Sequence, residues 1–107
     1  MSEALAWAAG LFDGEGHARC QRYKNGRQYQ LSLVVGQRHT EVLDRFQEAV
    51  EIGKIYSSPS KPVHRYCVYT FEKVQYVVVQ LWPWLGSVKR DQITQAFNLY
   101  YQGKGLR

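Results

Sequence analysis

Acidic residues are scarce in this chain, and cysteines scarcer. Nine Asp and Glu stand against 14 Lys and Arg, for a formal net charge of +5 and an isoelectric point near 9.4. That imbalance favours polyanionic partners, nucleic acid first among them, through release of their counterions. Charge alone is weak evidence, because many basic proteins never meet nucleic acid. The two cysteines, Cys20 and Cys67, lie far apart with no CxxC spacing. A secreted disulfide scaffold would carry more, so both are expected as reduced thiols. No run approaches the ~18 consecutive apolar residues of a membrane span, and no basic segment precedes an apolar core at the N-terminus. The expectation is a soluble intracellular protein, in a prokaryotic cytoplasm or an organelle, with no membrane partner. Repeats, low-complexity stretches and an internal linker are also lacking, and 107 residues suit one domain spanning 1–107.

What is present reads as alternating helices and hairpins. Ser2 to Asp13 opens with a good cap residue and carries small or apolar side chains around its circumference, which predicts a buried helix. Gly14 and Gly16 end it. Asp13 and Glu15 fall at its C-terminal end, where the helix dipole disfavours acid, so a compensating cation is expected nearby. His17 to Tyr23 alternates as a strand, Asn25-Gly26 is a strong hairpin signal, and Gln28 to Val35 follows as the return strand. Tyr29, Leu31, Leu33 and Val35 share one face of it. Gln28, Gln30 and Ser32 share the other. Neither strand carries a carboxylate.

Thr40 is expected to cap a helix through about Val50, with Val42, Leu43, Phe46 and Val50 at helical spacing. A second hairpin joins Gly53–Ser58 to Arg65–Phe71 through the turn-rich Ser58-Pro59-Ser60-Lys61-Pro62. Glu72 to Leu85 reads as a helix, although Val77-Val78-Val79 would suit a strand equally by propensity. Pro83 should end or kink it. Ser87 is expected to cap a last helix through about Gln102, with Ile93, Phe97 and Tyr100 or Tyr101 on its buried side. The order α-β-β-α-β-β-α-α predicts an α+β fold: a four-stranded antiparallel, saddle-like sheet with helices on one face and the other open. An open face rich in Arg, Gln, Tyr, Ser and Lys and poor in acid suits a DNA groove.

The stretch Ala8-Ala9-Gly10-Leu11-Phe12-Asp13-Gly14-Glu15-Gly16 resembles the signature of the LAGLIDADG homing endonucleases, intron-encoded nucleases. It occurs once and departs from the signature at Ala8 for the leading Leu, Gly14 for Ala and Glu15 for the second Asp. The element order resembles the family's along essentially the whole chain. The resemblance implies a site-specific endodeoxyribonuclease that makes metal-dependent double-strand cuts at a long pseudo-palindromic site. In this family two motif helices cross at an interface, so a chain with one motif is expected to act as a homodimer. Ala6, Ala9, Gly10 and Asp13 would lie at that interface. On residues alone, the favoured reading of the small side chains is packing against the chain's own core.

By the same resemblance, Glu15 is the expected metal ligand, with Gly14 beside it, and the metal is Mg²⁺ or another divalent cation that prefers hard oxygen. Asp13 would support the helix ends. Lys89, in Pro83 to Gln92, matches a lysine that points to the family's active site, and Gln37 resembles a water-positioning glutamine. Glu15, Lys89 and Gln37 are thus the catalytic candidates, and no small-molecule organic cofactor is expected. Readout of double-stranded DNA should fall to Arg19, Gln21, Tyr23, Gln28, Gln30 and Ser32 of the first hairpin and Lys54, Tyr56, Ser58, Arg65, Cys67 and Tyr69 of the second. Arg pairs bidentately with guanine and Gln with adenine. Loop residues Lys24, Arg27, Arg38 and Lys61 would touch phosphate. The rival reading is a regulator or intron-RNA splicing cofactor that binds without cutting.

Overall fold

The computed structural model describes residues 3–22 and 29–103. The expected Asn25-Gly26 turn, Tyr23 and Gln28 lie outside the described residues, as do Lys24 and Arg27. Helix α1 runs Glu3–Glu15 and passes directly into strand β1, Gly16–Arg22. Its inner side is Ala8, Ala9 and Phe12, all fully buried. The chain can turn so sharply there because Gly16 has no side chain: a Cβ would stand 2.2 Å from the Phe12 ring. Strand β2, Tyr29–Gln37, returns beside β1, with Ala18 opposite Leu33 and Arg19 opposite Ser32.

Helix α2 spans Thr40–Val50 and buries Leu43, Phe46 and Val50. The residue expected to cap it, Thr40, is instead its first helical residue; His39 holds the extended cap position and makes no side-chain capping bond. Strand β3 is only Lys54–Tyr56, shorter than expected, and β4 is His64–Tyr69. Gly53, at φ 106, makes the turn into β3 where a Cβ would stand 2.4 Å from the Tyr66 ring. The sheet order is β1-β2-β4-β3, all pairs antiparallel.

Helix α3 covers Phe71–Leu81, with Val74, Val77, Val78 and Leu81 buried. Burial of this stripe settles the valine run as helix, with Val79 left on the outside. The helix stops four residues earlier than expected and tightens into a 3-10 turn, Trp82–Trp84, that accommodates Pro83. Helix α4 is Ser87–Gly103. Here too the expected serine cap is displaced, since the carbonyl of Gly86, not Ser87, accepts the first helical bond, from the Arg90 N–H at 3.0 Å.

All four helices lie on the face of the sheet formed by Leu31, Leu33, Val35, Tyr66 and Val68, which they close into one core. Tyr66 sits at its centre, edge-on to Phe46 with ring centroids 4.8 Å apart, and its hydroxyl donates to the Ile52 carbonyl at 2.7 Å. Burial pushes that phenol well above its ordinary range. Helix α4 runs along β1, where Gln92 Oε1 accepts the Ala18 N–H at 2.9 Å. Among the described residues no helix covers the opposite face of the sheet, as expected.

Candidate nucleic-acid interface and active site

Pairing register sorts the bare face into rows. Counting from the end of α1, Gly36, Arg65 and Tyr56 lie abreast; next come His17, Val34, Cys67 and Lys54; then Arg19, Ser32 and Tyr69; last Gln21 and Gln30. Side chains of a strand alternate between faces, so every described hairpin residue expected to read DNA falls on this one face, except Ser58. Ser58 lies past the end of β3, where its hydroxyl is 3.0 Å from that of Ser60. Ser32 and Cys67 are on the expected face but only 4% and 5% exposed, short side chains flanked by longer ones. The Tyr69 hydroxyl is pushed up to about 12, first by its hydrogen bond with Cys67 and then by burial. The thiols of Cys20 and Cys67 are both free, as expected.

Hollows cross this face. One of about 560 Å³ is lined by Glu15, His17, Arg19, Gln37, Arg38 and Arg65, with Val34, Gly36 and Val63 as its floor and rim. Arg65 and Val63 are shared with a second, of about 250 Å³, that also takes in Tyr56 and Lys61. Tyr56 leads on to a third, of about 440 Å³, bounded by Lys54, Tyr69, Thr70 and Lys73. Glu15 is the single acid among the residues lining these hollows. It is exposed and, among the described residues, has no ion pair or hydrogen-bonded side-chain partner.

Glu15 and Gln37 thus meet in one hollow, joined by a route the sequence hides: β2 ends beside the start of β1, since Gly16 pairs with Val35. Lys89 does not line that hollow. It is half-buried in the first turn of α4, a turn tied to α1 by Asp13. Both Asp13 carboxylate oxygens accept the Gly86 N–H at 3.1 Å, in the role of supporting a helix start. Arg19, Arg38 and Arg65 share the hollow with Glu15, but among the described residues none forms an ion pair with the acidic end of α1. His17, Val34 and Lys73 escaped the sequence reading of the site. Alternation could have found the first two; Lys73 comes from α3 and left no local signal.

Among the described residues nothing covers the outer side of α1. Gly10 and Gly14 are exposed, and a Cβ on either would meet nothing within 4 Å. The expected all-round burial of this helix therefore does not hold within one chain. Ala6 is half-buried beside this stripe, whereas Ala9, expected at the same contact, is 0% exposed inside the chain's own core. Its position one residue before Gly10 turns it ~100° round the helix, toward Phe12.

Among the described residues no three His, Cys, Asp or Glu side chains cluster as a ready metal site, and no helix is long and apolar enough to cross a membrane. A family model described as LAGLIDADG endonuclease matches residues 8–82. No curated protein sequence matches. Among solved structures, the homing endonuclease I-CvuI, in complex with its target in the presence of calcium, aligns with 25% identity over 90% of this chain and 64% of its own, at a TM-score of 0.73. The LAGLIDADG meganuclease I-AabMI, bound to uncleaved DNA, aligns with 24% identity over 94% of this chain and 37% of its own, at 0.76. The homing endonuclease I-TnaI gives 18% identity, 94% and 73% coverage, and 0.73. The chain therefore spans less than two thirds of I-CvuI and little more than a third of I-AabMI.

Proposed function

The chain belongs to the LAGLIDADG endonuclease family, and from that premise we propose that two copies of it bind a long pseudo-palindromic DNA site and cut both strands with a divalent metal, Mg²⁺ the first candidate. One observation carries the reading: Glu15 is the lone acid in a chain of hollows otherwise lined by cations and neutral groups. A surface meant only to hold phosphate gains nothing from a carboxylate there, because it repels the ligand. A carboxylate is useful where a cation must sit against phosphate.

The donor set fits half of such a site. Glu15 offers hard oxygen without a competing ion pair, and Gly14, in the last turn of α1, carries a carbonyl with no partner of its own in the helix. One chain supplies one carboxylate, so a full site calls for a second copy, brought close by the bare stripe of Gly10 and Gly14 on α1. When bound, the metal would polarise the scissile phosphate and stabilise the leaving oxygen. The protein's own part is positioning. Arg38 and Arg65 hold phosphate in the hollow beside Glu15, Gln37 orients a water there, and Lys89, which does not line that hollow, is the candidate to act on it from the α4 turn that Asp13 secures.

The test is cleavage of a plasmid library of candidate sites with Mg²⁺, comparing the wild-type chain with Glu15→Gln. The variant should lose cutting by about 10²- to 10³-fold, as for loss of one strongly stabilising group, while still shifting DNA. Equal cutting rates would remove Glu15 from the site. A protein that shifts DNA and never nicks it under any metal would be a binder only. Gly10→Leu should leave the single chain folded and convert a dimer, sized by light scattering, to monomer; a dimer that survives would place the contact elsewhere.

A further inference from the structure

We propose that His17 is a specificity-determining residue that reads the base pair nearest the point of cleavage; the proposal rests on the DNA-cleaving reading above. His17 is exposed on the bare face, on β1 two residues past Glu15, the last residue of α1, and lines the same hollow. Alternate residues of a strand stand about 6.7 Å apart, roughly two base-pair steps of ~3.4 Å, so the rows of the sheet address successive parts of a half-site in order. The row level with Glu15 is taken up by Arg65 and Tyr56 around side-chain-free Gly36. The His17 row is the first beyond it.

Within that row the middle cannot hydrogen-bond outward. Val34 is apolar and Cys67 is nearly covered, so the polar groups are His17 at one edge and Lys54 at the other. Lys54 is a flexible point charge, suited to phosphate. His17 is short, planar and, among the described residues, without a hydrogen-bonding partner of its own. An imidazole N–H can donate to N7 or O6 of guanine, acceptors presented in the major groove. Val34, directly opposite His17, offers a methyl surface to a neighbouring thymine C5-methyl. The pair therefore favours guanine beside thymine at the innermost read position, with Arg19 and then Gln21 reading further out.

The experiment is a binding selection on duplexes randomised across the site, without divalent metal so that no strand is cut, and sequencing of the bound fraction for wild type, His17→Ala and His17→Gln. The wild type should show a preferred guanine at one symmetric pair of inner positions. His17→Ala should lower that preference about 5- to 100-fold and leave the outer positions unchanged, and His17→Gln should move it toward adenine. A wild-type profile with preferences that neither substitution alters, or alters evenly at all positions, overturns the role of His17 alone. A wild-type protein that selects no sequence overturns the site-specific reading along with it.

Discussion

The two faces of this one sheet are made from neighbouring residues of the same strands, and they obey opposite rules. On β2, Leu31, Leu33 and Val35 are at most 1% exposed beneath the helices. Val34 and Gly36, between and beyond them, open onto the hollow that holds Glu15. Composition follows the division: the covered face is aliphatic around two hydrogen-bonded tyrosines, Tyr66 at its centre and Tyr29 at its margin, and the bare face is cationic, aromatic and almost free of acid. A strand alternates sides at every residue, so stability and recognition are written into one segment without sharing positions.

That separation can be attacked from either side. Leu33→Ala removes buried methyl groups from the middle of the covered face and should cost about 2–5 kcal/mol in denaturant unfolding. A smaller loss would mean that the helices collapse onto the sheet more freely than the packing suggests. Gln92→Leu would leave the Ala18 N–H without its acceptor, costing about 1–3 kcal/mol, and tests whether α4 is held to the sheet by that bond. Arg19→Ala should leave the unfolding midpoint within about 0.5 kcal/mol of wild type, as for exposed substitutions, while weakening specific DNA binding by about 1–3 kcal/mol. A matching loss of stability would break the distinction between faces.

The smallest effect is spectroscopic. Tyr69 should ionise near pH 12, later than a free phenol, and Cys67→Ala should bring its absorbance change to lower pH by removing the hydrogen bond. The raised value means that the fold favours the protonated phenol. Its contribution to stability is therefore complete below about pH 10, the free-phenol range, and is lost as pH rises through about 12.

Most of this arrangement was legible from period and punctuation. Alternation in residues 29–35 assigned each side chain to its face, and the β3–β4 register placed Lys54, Tyr56, Arg65, Cys67 and Tyr69 on the same side as expected. What escaped depends on distant chain. The inner and outer sides of α1 could not be told apart, because Ala9 and Gly10 are both small and no amphipathic stripe separates them. The start of α4 is fixed by Asp13, 73 residues away from Gly86, in place of a local serine. The grouping of Arg38 and Arg65 with Glu15 exists only once β2 lies between β1 and β4. Each strand pattern is local, but no local pattern encodes which strands become neighbours.

The two margins of the sheet have a further consequence. β3 offers a stretch of only three residues, and the outer side of β1 is occupied by α4. A foreign strand thus finds no long row of unpaired amides to extend, which protects the protein against edge-to-edge aggregation. It also disfavours association of copies by continuing the sheet, in keeping with a contact through the outer side of α1.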